Sequence, residues 1–80
     1  MLQDTVINEI SAHLKCPPED ISLDMRLDEL GIDSLGAITI MYELEDRLDI
    51  EIPNEVFEKL TIVNDIVDQL QQLLENKNPG

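Results

Sequence analysis

The groups in this chain that could do chemistry are Ser34, His13, Cys16 and a crowd of carboxylates. Ser34 stands in Gly31-Ile32-Asp33-Ser34-Leu35, where a loop meets the longest amphipathic run of the sequence. Asp33 is placed to cap the helix that follows, accepting a bond from the amide two or three residues on. Ser34 then takes the first helical position with its hydroxyl facing outward. Gly31 permits the turn that delivers the loop to this point. One reading of the pair is an ordinary helix cap. The other is a tether point, because a phosphodiester on that oxygen would meet the positive pole of the helix and its unpaired amides.

Catalysis by Ser34 would need a base, and His13 is the only histidine. It lies mid-helix with no sequence link to Ser34, and a surface or boundary position is expected for it. No Cys or His cluster has metal-ligand spacing. Asp24, Asp28, Glu29 and Asp33 could loosely hold calcium or magnesium but lack the spacing of a calcium loop, so weak divalent binding without a dedicated site is expected. Cys16 is the single cysteine, which excludes an internal disulfide and is read as incidental.

Eighteen acids stand against five Lys and Arg, a net charge of −13. Nucleic acid and anionic membrane are therefore poor partners, and basic protein surfaces are natural ones. No run approaches the roughly 20 apolar residues of a membrane span, and the first residues lack a basic region followed by an apolar one. A cytoplasmic, reducing setting and a monomer are expected. Aromatics are nearly absent, so the core must come from Leu, Ile, Val and Met.

The elements that position Ser34 follow from spacing. Val6, Ile7, Ile10 and Leu14 predict a first helix over 4–14 with Asp4 as cap, ended by Lys15 and by Cys16-Pro17-Pro18. A long loop over 17–33 begins with a turn at Pro18-Glu19-Asp20-Ile21 and is pinned to the core by Ile21, Leu23, Leu27 and Leu30. A second helix spans 34–48, with Ala37, Ile40, Met41, Leu44 and Leu48 as its core stripe. Leu35, Ile38 and Tyr42 form another stripe, either buried in a wide helix interface or exposed beside Ser34. Asn54 is the expected cap of a short helix through Leu60, and Thr61 that of a fourth helix carrying Ile62, Val63, Ile66, Val67, Leu70, Leu73 and Leu74. No segment reads as a strand. The expected fold is all-α, a small four-helix bundle of three main helices and one short one with a long first loop. Residues 1–75 form a single domain, and 76–80 a frayed tail.

Pro18-Glu19-Asp20-Ile21, Asp24, Leu30-Gly31-Ile32-Asp33-Ser34-Leu35, Glu43-Leu44-Glu45, Glu51-Ile52-Pro53 and Thr61-Ile62-Val63 together resemble an acyl carrier protein over essentially the full length. Asp-Ser-Leu alone is a weak signal, shared with the Gly-Asp-Ser-Leu block of some esterases, although Ile32 replaces that glycine here. The resemblance implies a carrier rather than an enzyme. It assigns a covalent 4′-phosphopantetheine arm from coenzyme A to Ser34, with Asp33 and Leu35 as motif residues. It implies a phosphopantetheinyl transferase as partner, together with acyl-loading, condensing and acyl-transfer enzymes presenting basic surfaces. Leu35, Ile38 and Tyr42, with Glu43, Glu45 and Asp46, make up the implied docking set, which favours exposure of the second stripe.

Two positions depart from carriers of fatty acid synthesis, many of which have an acid where this chain has Gly36 and Glu where it has Thr39. Glu45-Asp46-Arg47-Leu48 looks like free-standing carriers of specialised pathways. Asp-Ser followed by an apolar residue and glycine also resembles D-alanyl carriers, leaving an aminoacyl cargo as the alternative. An unmodified acidic interaction module, with Ser34 only a cap, is the other competing function.

Overall fold

The computed structural model describes residues 1–77, and the side chains of residues 1–75. Four helices follow in order: α1 Leu2–Leu14, α2 Ser34–Leu48, α3 Asn54–Phe57 and α4 Val63–Lys77. A single 3₁₀ turn, Pro18–Asp20, interrupts the first loop and packs against α1. α1 packs against both α2 and α4. Their facing stripes supply most of the core: Val6 and Ile10 from α1, Ile40, Met41 and Leu44 from α2, and Val63, Ile66, Val67 and Leu70 from α4. No aromatic ring is among these fully buried groups, in line with the composition.

The first loop is anchored as its apolar residues require. Ile21 and Leu27 are buried, and Leu23 and Leu30 pack against the core at its edge. Ile32, inside the Ser34 motif, is buried as well. Arg26 and Ile62 form an isolated antiparallel bridge, in which the Leu27 amide donates to the Thr61 carbonyl at 3.0 Å and the Val63 amide to the Met25 carbonyl at 2.9 Å. This bridge straps the loop to the connection between α3 and α4. Among the described residues no longer strand forms.

Three helix starts differ from the sequence expectation. α1 begins at Leu2, not at Asp4, and Met1 holds the cap position without a side-chain bond. Leu2 packs against the core, which favours the extra residues, while Asp4 lies in the first turn where a negative charge suits the helix dipole. Asn54 is the first residue of α3, preceded by Pro53 as its cap. That helix stops at Phe57 rather than Leu60, because the chain must turn to bring Leu60 to the core and Ile62 to its bridge with Arg26. At α4 the stabilising group is Asp65. Its Oδ2 accepts the amides of Thr61 and Ile62, each at 2.9 Å, so the carboxylate inside the helix secures the approach expected of Thr61.

The end of α1 is built without glycine. Lys15 adopts the left-handed conformation at φ 59°, a position that glycine usually takes. Ser11, itself buried, donates its hydroxyl to the Cys16 carbonyl. Cys16 is half-buried and its thiol is free. α4 continues through Lys77, two residues into the expected tail, and residues 78–80 of that tail lie outside the described residues.

Candidate attachment site

Ser34 opens α2 and is exposed. Asp33 precedes it in an extended conformation, and its Oδ1 accepts the Gly36 amide at 2.8 Å. The Asp33 carbonyl takes the Ala37 amide at 2.9 Å, which starts the helical ladder. The cap thus consumes the third amide of the helix and leaves those of Ser34 and Leu35 with no preceding turn to accept them. Gly31 has φ +80°, the left-handed geometry that glycine adopts without strain, and its amide closes a turn onto Asp28 at 3.1 Å. Ile32 is buried between this turn and the cap, so the two residues before Ser34 are held by packing and by hydrogen bonding respectively.

The second stripe of α2 divides. Leu35 is 74% exposed and Tyr42 59% exposed, whereas Ile38 is half-buried. Tyr42 meets the Phe57 ring edge to face, with centroids 6.4 Å apart. Ile38 and Phe57 line an open groove of about 540 Å³ that begins at Ser34. Leu27, Ile32, Ala37 and Leu60 complete its apolar floor, and Arg26, Asp28, Asp33 and Glu58 stand on its rim.

The acids of the implied docking set are not equivalent. Glu43 and Asp46 are exposed. Glu45 is half-buried, and its Oε2 accepts the Ile52 amide at 2.7 Å. It therefore ties the end of α2 to the connection before α3.

Three features were not legible in the sequence as read. Glu9, one of two buried polar or charged residues among those described, pairs its Oε1 with Arg47 Nε at 2.8 Å across α1 and α2. That contact is an ion pair without hydrogen-bond alignment, which leaves the buried oxygen without a directed donor. Helical spacing places Arg47 outside both apolar stripes of α2 and gives no sign of this partner. His13 is exposed, as expected of a surface position, and the end of α1 reaches the start of α2. A Cβ on Gly36 would meet His13 Nε2 at 3.4 Å, Asp33 Oδ1 at 3.3 Å and Ile32 Cγ2 at 3.4 Å. Gly36 thus faces α1, and its missing side chain leaves room for that approach. No hydrogen bond joins His13 to Ser34 among the described residues, and Gly36 lies about 200° around the helix from Ser34. Third, Arg26 donates from Nε and Nη2 to both carboxylate oxygens of Asp28, at 3.0 and 2.9 Å. Through these hydrogen bonds first, and its charge second, it holds the Asp28 carboxyl below the usual carboxylate range.

Three of the four acids that could loosely hold a metal are engaged separately. Asp24 accepts the Ser22 hydroxyl at 2.8 Å, Asp28 holds Arg26, and Asp33 caps α2. Among the described residues no group of three or more His, Cys, Asp or Glu could hold a metal ion, and no helix is long and apolar enough to cross a membrane.

An exposed serine thus opens a capped helix beside an open groove with an apolar floor, in an acidic four-helix bundle. The sequence profile of the phosphopantetheine attachment site family matches residues 4–70. An acyl carrier protein of Campylobacter hominis is 31% identical over 77 residues, covering 95% of this chain and 92% of that one. One from Rickettsia bellii is 32% identical over 72 residues, covering 89% of each. A non-reducing polyketide synthase of Byssochlamys spectabilis is 33% identical over 73 residues, which are 91% of this chain and 3% of the synthase. The crystal structure of an acyl carrier protein from Thermotoga maritima shares the fold, with a TM-score of 0.82, 24% identity and coverage of 98% and 96%.

The chain belongs to the acyl carrier protein family, whose members bear a covalent 4′-phosphopantetheine and carry intermediates rather than catalyse. It works with a transferase and with biosynthetic enzymes.

Proposed function

We propose that Ser34 is the attachment residue and that residues 1–75 act as one cytoplasmic, monomeric carrier unit for acyl thioesters. The observation that supports Ser34 is its exposed hydroxyl at the first position of α2, behind a cap that Asp33 already satisfies. Modification forms a bond from Ser34 Oγ to the phosphorus next to pantetheine in coenzyme A. The pyrophosphate bond breaks, adenosine 3′,5′-bisphosphate leaves, and the hydroxyl proton passes to a base on the transferase. Ser34 needs no activation from its own chain, because the transferase supplies the base, and among the described residues no basic side chain bonds to it. The free leading amides and the groove are chemically suited to the root of the arm.

Leu35, Ile38 and Tyr42 form the apolar centre of the docking face, with Glu43, Glu45 and Asp46 as its acidic flank. Their partners are the transferase and acyl-loading, condensing and acyl-transfer enzymes with basic surfaces. Charge guides the encounter, and the small apolar patch sets its register. Contacts of this size are transient, which suits a protein that must hand its cargo on.

The deciding experiment is intact-mass analysis after incubation with coenzyme A, magnesium and a broad-specificity transferase. One phosphopantetheine is expected on the wild type and none on Ser34→Ala. A shift that survives the substitution refutes the assignment.

A further inference from the structure

The groove beside Ser34 carries an unequal set of charges. Asp28, Asp33 and Glu58 line its rim, and Arg26 is the only cation among the lining residues. Glu29 lies close enough to act on Arg26 through its charge. A phosphodiester on Ser34 would add another negative charge to this rim, so an uncompensated groove would repel it.

Arg26 is built to answer that charge. Its backbone is fixed by the bridge to Ile62, while its neighbour Leu27 points into the core. The guanidinium is about half exposed and forked onto Asp28. Such an exposed pair is held weakly, and the planar fork that fits a carboxylate also fits a phosphate.

Resting on the reading of Ser34 as the attachment residue, we infer that Arg26 is the counter-ion of the phosphodiester: on modification its guanidinium turns from Asp28 to the phosphate and positions the root of the arm at the groove. Arg26 does no chemistry in this role. It sets where a charged tether starts within an acidic protein.

NMR of the apo and holo wild-type chain tests this without any substitution. Intact mass first establishes the loading. The Arg26 Nε resonance is expected to shift on modification, and the Asp28 carboxyl to titrate higher in the holo form than in the apo form, having lost its cation. The ³¹P resonance of the holo chain is expected to move in Arg26→Gln and to be kept in Asp28→Asn, where the arginine remains. A holo chain whose Arg26 and Asp28 signals match the apo chain overturns the inference alone, as does an unchanged ³¹P signal in Arg26→Gln. A wild-type chain that takes no arm overturns the reading of Ser34 with it.

Discussion

Asp33, Ser34 and Gly36 divide one task between them. Asp33 accepts the Gly36 amide, so the cap is complete before Ser34 is involved, and the serine oxygen is free for a substituent. Asp33→Ala should cost about 1 kcal/mol of stability, read as a lower urea midpoint with an unchanged slope. Ser34→Ala removes no cap and should leave that midpoint nearly unmoved, which separates the two roles. Gly36 has a reason of its own. The space beyond its Cα is bounded by Asp33, Ile32 and His13, so a side chain there would have to displace one of them by a few tenths of an ångström.

At the scale of the element, two carboxylates hold helices to their surroundings in ways that a helical wheel cannot reveal. Glu45 reaches seven residues along the chain to the Ile52 amide. Glu45→Ala should cost about 1–3 kcal/mol, because a part-buried amide loses its acceptor. Glu45→Gln keeps an acceptor and should cost less, and equal losses in thermal melts would contradict the bond's role. Glu9 and Arg47 tie α1 to α2. The arginine end is 62% exposed and the carboxylate 9% exposed, so Arg47→Ala strands a buried charge that water reaches poorly. A loss of about 1–2 kcal/mol is expected, discounted from the fully buried case for the exposed partner. Adding Glu9→Gln should recover part of it. A double variant less stable than Arg47→Ala would show that the carboxylate is satisfied without its arginine.

Across the whole molecule, a net charge of −13 is carried by a bundle with a small aliphatic core. Self-repulsion of that size loosens the compact state, and salt screens it over a Debye length of about 8–10 Å. Raising sodium chloride from about 10 to 150 mM should therefore raise the melting temperature. Relief of about 1 kcal/mol corresponds to about 4–8 °C for a domain of this size. A melting temperature that does not move with salt would mean the acids are spaced widely enough not to repel. The same field that strains the fold favours basic partners, so stability and recognition respond to salt in opposite directions.

Local chemistry determined much of this protein without help from the rest of the chain. The 3.6-residue periodicities of α1, α2 and α4, the proline stop after α1, the glycine turn at Gly31 and the Asp33 cap all depend on residues a few positions apart, and all are legible in order. The apolar loop anchors and the Ser34 motif were legible for the same reason. Tertiary structure alone decided the contacts between segments distant in sequence: Glu9 with Arg47, His13 against Gly36, and the Arg26–Ile62 bridge that shortens α3 and draws Arg26 to the groove. It also divided the second stripe of α2, exposing Leu35 and Tyr42 while Ile38 turned partly inward. Periodicity says which residues share a face. Which part of that face is covered depends on what packs against it, and only the folded chain supplies that neighbour.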